Sequence, residues 1–338
     1  MSGNKILLSK LIKSVPHDTE ERVKRAKDRY NNAIRDAMRR ETGLLLNRRD
    51  TKAESTKSSD NINVPIRILP GLPAELDNFS FDDEKWLAVT LTPIREFLKK
   101  SNEGLTGIVD LVERLQQDPR GQLALAGREA SLPAVRSLVK DLLTAVDSFD
   151  PVKQVLSVNH DVLGVYRYRL PLAPTPEQTD PFSGEIELYW AVIGWIAGML
   201  GVSADALTAV VLAHEVAHAY THLGSDIDGE RWGSTGFKSS DHALKEGLAQ
   251  YYTFMLVNNL RSSAYDVDRA YEELLKRQPD AYKTHVLWTK ENRPEEVRFA
   301  MLEVRRFGKG LLNDFNLALT NAKRRLSPQP ASTLGVLR

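Results

Sequence analysis

Cysteine is absent from the 338 residues of this chain, which excludes disulfide bonds, thiol catalysis and thiolate metal sites. Net charge is almost absent as well: 46 Lys and Arg face 45 Asp and Glu, so the chain has no bulk attraction to nucleic acid or membranes. Long apolar runs are also lacking, because the most apolar stretch, residues 189–201, has only about 13 residues where a membrane span needs roughly 20. Any bound metal must therefore rest on His, Asp or Glu.

Lys10 and Lys13 interrupt the apolar residues near Met1, so we expect no secretory signal in this segment. The overall composition, 42% hydrophobic and 27% charged, is that of a globular domain with a sizeable core. We expect a cytoplasmic protein that does not associate with a membrane.

Four regions follow one another in the predicted domain organisation. Residues 1–60 form a basic helical arm and linker, whose 15 Lys and Arg against 9 Asp and Glu are typical of a solvated helix or would suit an acidic partner. Residues 61–150 predict a helical scaffold, with apolar residues at three- and four-residue spacing around 86–97, 105–115 and 135–146. A third region over 151–325, where the pattern changes to include strands, and a flexible tail over 326–338 complete the chain.

Two segments of the third region alternate with period two, as strands do: residues 165–170 and 185–189. If they pair, Arg167 and Arg169 face Glu185 and Glu187, while the intervening Ile186 and Leu188 point into the core. Helices are expected afterwards, the first capped by Ser203 and ending near Gly224, the others covering about 242–260, 264–276 and 294–323.

The chemistry is concentrated in His214-Glu215-Val216-Ala217-His218, within the first of these helices. Two histidines four residues apart share a helical face, so both imidazoles can reach one ion. Glu215 lies roughly 100° around the helix, where it can reach a metal-bound water as a general base. The alternative is a pair of satisfied histidines without a metal, but the uncharged residues around the motif predict a buried helix, where such a pair would be costly.

Catalytic zinc takes three protein ligands and leaves a fourth position for water, so the motif requires a third ligand. Glu246 is the leading candidate, because it begins the next predicted helix after a loop long enough for that helix to fold back. His222, His242 and Asp241 remain alternatives. The metzincin pattern is excluded, because it requires Gly and His where this chain has Thr221 and Gly224.

Together these residues resemble the gluzincin group of zinc peptidases over roughly residues 160–290. The resemblance implies ligands His214, His218 and Glu246 with Glu215 as the base. It also implies an α+β, mainly α fold, in which a zincin-like catalytic domain with a small sheet follows an N-terminal helical region, and in which an edge strand binds extended peptide. The chain departs from some members at Gln250, where they carry an aspartate that supports a histidine ligand.

Peptide hydrolysis also requires a donor for the developing oxyanion besides the metal. His285 and Tyr282 are the first candidates, and Tyr251 or Tyr252 could serve instead. Asp226 and Asp228 are candidates for orienting a histidine ligand. The sequence thus predicts zinc-dependent hydrolysis of a peptide or protein substrate. The competing hypothesis is a non-enzymatic, metal-stabilised regulator or sensor that binds protein or nucleic acid through the basic residues 1–60.

Overall fold

The computed structural model describes residues 12–46, 62, 64–71, 162–168, 184–260, 266–307 and 309–327, together with scattered positions between 100 and 156. The chain divides into two compact units, one made of residues 1–77 and 156–338 and the other of residues 78–155. Nearly all described positions of the smaller unit are helical, including 100–104 and 137–142, whereas the predicted helix around 86–97 lies outside the described residues. The elements discussed below all belong to the larger unit.

The larger unit contains three short strands and ten helices among its described residues. The strands are β1 (Ile66–Leu69), β2 (Gly164–Tyr168) and β3 (Gly184–Tyr189). The helices are α1 (Thr19–Thr42), α2 (Trp190–Leu200), α3 (Ala204–Leu223), α4 (Ser234–Ser239), α5 (His242–Leu260), α6 (Val267–Arg277), α7 (Asp280–Lys283), α8 (His285–Glu291), α9 (Pro294–Phe307) and α10 (Leu312–Leu326). The described fold is therefore α+β and mainly helical, as the sequence predicted.

The sheet has the order β1–β3–β2, with β1 parallel and β2 antiparallel to the central strand. Arg167 pairs with Glu185 in the register, and its Nε donates to Glu187 Oε2 at 2.7 Å on the polar face. Ile186 and Leu188 are fully buried on the other face. The predicted strand pairing is thus confirmed for the described residues; Arg169 lies outside them. Strand β1 falls inside the stretch predicted to be a helical scaffold and was missed.

Helix α3 runs through the middle of the core, with all but one of its 20 residues buried. Ser203 caps its start, as predicted, because the Ser203 hydroxyl accepts a hydrogen bond from the Ala206 N–H at 3.1 Å. Gly224 ends the helix for a reason that the sequence did not reveal. Its φ of −63° is accessible to any residue, but a Cβ atom there would lie 2.5 Å from the Tyr220 carbonyl oxygen and 2.8 Å from Leu44 Cβ.

Helix α1 packs directly on α3 and belongs to the same unit as the motif. Its apolar stripe is buried, and Arg22 forms an ion pair with Asp205 at 2.6 Å near the start of α3. The Tyr220 hydroxyl donates to the Arg35 carbonyl oxygen at 3.1 Å. Within the region predicted as a basic arm, this helix therefore contributes one face to the core, whereas residues 1–11 and 47–61 lie outside the described part.

The later helices follow the predicted order with one interruption. The segment expected to be helical over 294–323 is divided into α9 and α10 by a turn at Gly310, whose φ is +73°. Such a left-handed conformation favours glycine, and Gly310 lies directly before Leu311, the N-cap residue of α10. Among the described residues no single helix is long and apolar enough to cross a membrane, and α2 and α3 satisfy that test only as a pair bent by 119°.

The close packing of α1 on α2 at Gly194 is testable. A Cβ atom at Gly194 would lie 2.4 Å from Thr19 Cγ2, so Gly194→Ala should force the two helices apart and destabilise the fold by about 1–3 kcal/mol. Gly198→Ala in the same helix is the matched control, because its Cβ atom meets nothing within 4 Å and should add up to about 1 kcal/mol of helix propensity. Urea denaturation of both variants measures the difference, and equal unfolding midpoints would contradict the packing.

Candidate metal centre

The two histidines of the motif project from one face of α3 into the interior. His214 and His218 are 6% and 5% exposed, and their Nε2 atoms lie 3.1 Å apart. Spacing of four residues places both rings over the same patch of the helix, and their planes meet at 90°. The two imidazoles therefore direct the same nitrogen atom toward one point.

Helix α5 packs against α3 and brings Glu246 to that point. Glu246 Oε2 lies 3.2 Å from His214 Nε2 and 3.3 Å from His218 Nε2. The close approach of α8 to α5 beside it requires glycine at position 247, since a Cβ atom there would lie 2.7 Å from Trp288 Cη2. Among the described residues, His214, His218 and Glu246 are the group whose donor atoms converge as the ligands of a metal ion do.

The triangle of donor atoms fits a zinc-sized ion. Tetrahedral zinc with bonds of about 2.0–2.1 Å separates neighbouring ligand atoms by roughly 3.3 Å, close to the 3.1–3.3 Å found between these three atoms. Burial raises the pKa of Glu246, but the neighbouring His218 and His214 lower it by more, and the net result is a pKa well below the usual carboxyl value. Glu246 is thus held as a carboxylate, the form that ligates a cation.

Glu215 occupies the adjoining face of α3, where it is 1% exposed. Strand β2 starts directly against it, because a Cβ atom at Gly164 would lie 3.0 Å from Glu215 Cγ and 2.8 Å from Val211 Cγ1. Only glycine lets the strand approach the carboxylate this closely. Glu215 is thus held between the metal ligands of its own helix and the first residue of an edge strand.

A pocket opens beside the metal centre and includes both His214 and Glu215 in its lining. It encloses about 410 Å³, part of it open to solvent. Its walls are otherwise mostly apolar, with one amide pair; they comprise Leu156, Val162, Leu163, Gly164, Val210, Val211, Gln250, Leu274, Gln278 and Tyr282. A small molecule or side chain that enters this pocket comes to lie against the metal centre.

His222, weighed as a third ligand, instead belongs to a hydrogen-bonded chain behind the metal centre. Its Nδ1 lies 3.0 Å from the Tyr166 hydroxyl and its Nε2 lies 3.0 Å from the Ser234 hydroxyl, so both ring nitrogens are engaged. The Tyr166 ring in turn stacks on His218 at 6.5 Å between centroids. His222 therefore supports the wall behind a ligand and is not itself one.

His285, predicted as an oxyanion donor, lies outside the pocket lining and has partners of its own. His285 Nδ1 donates to the Tyr282 carbonyl oxygen at 2.9 Å, and its Nε2 accepts from the Tyr271 hydroxyl at 2.7 Å. With both nitrogens engaged and 2% of its surface exposed, His285 is a core residue that does not line the pocket. Tyr282 does line the pocket, and its ring stacks on His214 at 5.7 Å.

Tyr251 and Tyr252 are also buried in the core, away from the pocket lining. The two aspartates proposed to orient a histidine ligand serve a different structure: Asp226 binds Arg306 Nε at 2.7 Å, and Asp228 binds the same guanidinium group. They join the loop after α3 to the end of α9. The sequence-based assignment of these four residues to the site therefore has no geometric support.

Of the two remaining candidates near position 242, Asp241 accepts the Leu312 N–H at 2.8 Å and so connects the starts of α5 and α10. His242 does approach the centre, with its half-exposed ring 3.4 Å from Glu246 Oε1, the oxygen that faces away from the other ligands. Gln250, which the sequence marked only as a departure from the gluzincin pattern, lines the pocket one turn after Glu246 on α5. Gln278 also lines the pocket, and no sequence motif marked it.

Metal binding by the purified protein tests this centre directly. Even the loss of an outer hydrogen bond at a metal site costs 10–100-fold in affinity, so His214→Ala, His218→Ala and Glu246→Ala should each weaken zinc binding more than about 100-fold. His17→Ala, at an exposed histidine, should leave it unchanged. Competition with a chromogenic chelator measures the affinity, and stoichiometric binding that survives all three ligand variants would rule the centre out.

The two core histidines predict a pH dependence of stability. Burial lowers the pKa of His222 to about 3 and that of His285 to about 4, whereas an unfolded chain protonates histidine near pH 6.5. Between pH 6.5 and 4 the unfolded state therefore binds more protons, and acidification should cost up to about 1.4 kcal/mol per pH unit for each histidine. Above pH 6.5 these groups contribute no slope.

Urea unfolding of the metal-free protein across that pH range measures this effect. His285→Gln should remove one histidine's share of the slope, and His17→Gln should leave the slope as it is. An identical slope in His285→Gln and the wild type would show that His285 is not held neutral by burial.

A similarity to known proteins would bear directly on the chemistry of this candidate metal centre. No protein-family model, curated protein or solved structure matches the chain. The observations that bear on its chemistry are thus its own residues and their arrangement. They describe a buried group of two histidines and one glutamate that could hold a metal ion, with a second carboxylate and a pocket beside it.

Proposed function

We propose that this chain is a zinc-dependent peptidase of the gluzincin type, with a zincin-like catalytic part built from α3, α5 and the small sheet. The observation that carries the proposal is the convergence of His214, His218 and Glu246 within 3.3 Å of one another, beside Glu215 and an open pocket. A structural metal site needs a fourth protein ligand and no neighbouring base. This arrangement has three ligands and a base, which favours a hydrolytic centre over a regulator's structural ion.

The donor set favours zinc over magnesium and calcium. Two imidazole nitrogens and one carboxylate form a ligand set of catalytic zinc, whereas magnesium and calcium prefer oxygen ligands throughout. A bound zinc ion would acidify a water molecule and polarise the scissile carbonyl group. The chain's own residues provide the remaining steps.

Glu215 is the proposed general base. It takes one proton from the attacking water as the new bond forms between the water oxygen and the carbonyl carbon. It then delivers that proton to the leaving nitrogen when the C–N bond breaks, so that a carboxylic acid and an amine result. Its position one residue after His214 keeps it out of the ligand set while holding it at the mouth of the pocket.

The substrate backbone is proposed to align with β2. This strand pairs with β3 along one side only, and no other described strand covers its outer side. Because its first residue touches Glu215, an extended peptide that pairs with β2 would pass the base within a residue or two. Tyr282, stacked on His214 in the pocket wall, is the proposed donor to the oxyanion.

Replacing the base without disturbing the metal tests this function. Glu215→Gln keeps the shape of the side chain but cannot take a proton, so peptide cleavage should fall by about 10²–10⁴-fold while zinc affinity stays within a few-fold of the wild type. The assay is mass spectrometry of a synthetic peptide mixture incubated with the zinc-loaded protein.

Glu21→Gln is the matched control, because it makes the same change at a side chain that is 70% exposed on α1. It should cleave at the wild-type rate. Equal cleavage by Glu215→Gln and the wild type would refute the assigned role, and a zinc-loaded wild type that cleaves nothing would refute peptidase activity.

A further inference from the structure

The lining of the pocket contains a pair of buried glutamines that neither the metal centre nor the proposed mechanism uses. Gln250 projects from α5 and is 2% exposed, and Gln278 follows α6 and is 9% exposed. Gln250 Nε2 donates to Gln278 Oε1 at 2.9 Å. The two amides thus hold each other in place within the wall of the pocket that includes Glu215.

The side-chain carbonyl oxygen of Gln250 takes no part in this hydrogen bond. Its Oε1 is buried and has no hydrogen-bond partner among the described residues. Buried side-chain amide oxygens almost always accept a hydrogen bond, because without one they lose the water they had in the unfolded chain. Because Gln250 Oε1 lies beside a candidate active site, its missing hydrogen bond indicates that it accepts one from a polar group of a bound ligand.

The rest of the pocket defines what that group can be. Leu274 and the aliphatic residues of α3 and of the segment before β2 surround the amides, and the only charged side chain in the lining is Glu215. An anionic group reaching the amides would be buried with the Glu215 carboxylate as its only charged neighbour in the lining, which is strongly unfavourable, and a cationic group would pair with Glu215 rather than with the amides. A wholly apolar group would leave the Gln250 oxygen unsatisfied. The pocket therefore suits an uncharged group with an apolar stem and a polar end.

We infer that this pocket is the specificity pocket for a substrate side chain next to the scissile bond, and that the Gln250–Gln278 pair selects an uncharged side chain ending in an amide or hydroxyl group. Gln250 Oε1 accepts a hydrogen bond from the terminal group, and Gln278 Nε2 donates one to it. This inference rests on the proposed peptidase function for the identity of the substrate, but the preference for the terminal group does not depend on hydrolysis.

The selectivity follows from the cost of an unpaired polar group in the pocket. A site built to form hydrogen bonds with a substrate group rejects the analogue that lacks it far more strongly than an apolar pocket rejects a change of size. Two pairs of substrate side chains of similar size test this selectivity. Tyrosine and phenylalanine differ by the hydroxyl group, and glutamine and methionine differ by the amide group. Comparison of the two pairs also distinguishes the two terminal groups.

The experiment uses the zinc-loaded full chain and a synthetic peptide mixture in which one position carries Tyr, Phe, Gln or Met within otherwise identical sequences. Cleavage beside the polar member of at least one pair should exceed cleavage beside its apolar partner by about 10-fold or more. In Gln250→Met, which replaces the amide by an apolar side chain of similar length, this preference should disappear or reverse. Gln278→Met should weaken it, and serves if the first variant does not fold.

Binding separates failure of this inference from failure of the proposed function. If the wild type cleaves no peptide, the four N-acetylated amino-acid amides are titrated into the wild type and Gln250→Met, and chemical shifts of pocket residues report the affinities. A preference for the tyrosine or glutamine amide that is lost in the variant supports the pocket without peptidase activity. Equal cleavage or binding of both members of each pair in the wild type overturns the inference and leaves a buried water as the partner of Gln250.

Discussion

Three donor atoms within 3.3 Å of one another, all buried between α3 and α5, set the requirements that the surrounding structure meets. Two imidazoles and a carboxylate are costly to bury at such distances without a compensating charge, and a cation bound among them would provide it. The packing of the helices keeps the three donors together. Helix α3 is buried along nearly its whole length, and α5 packs against it while α8 approaches α5 closely at Gly247.

The residues around the centre divide into two kinds by what they contact. Behind the ligands, Tyr166, His222 and Ser234 form a chain of hydrogen bonds that leaves no ring nitrogen unengaged, and the burial of His222 keeps it neutral at ordinary pH because its pKa is lowered to about 3. In front of them the pocket lining includes Gln250, whose buried Oε1 has no hydrogen-bond partner among the described residues. A packed support on one side and an incompletely satisfied cavity on the other is the asymmetry expected of a binding site.

Several residues that the sequence suggested for the site are engaged elsewhere in the structure, for one common reason. His285, Asp226 and Asp228 have the right functional groups, but each is engaged by a neighbour that is distant in sequence or hidden in an ordinary apolar pattern. An imidazole whose nitrogens bind Tyr271 and a backbone carbonyl cannot serve an oxyanion. A residue's type establishes what it can do, and its contacts decide whether it is available. Strand β1 was missed in the same way, because four residues carry too little periodicity to indicate a strand.

The sequence by itself determined the features that depend on local spacing. The i,i+4 histidines with Glu215 between them, the Ser203 cap, the period-two strands and the order of helices all follow from nearest-neighbour geometry along one element. Only the tertiary structure decided which third residue joins His214 and His218, because Glu246, His222, His242 and Asp241 all remained possible until the packing of α5 on α3 brought Glu246 to them. It also decided that Gln250 and Gln278 meet in the pocket wall, because two residues from different helices share no local pattern and are brought together by packing alone.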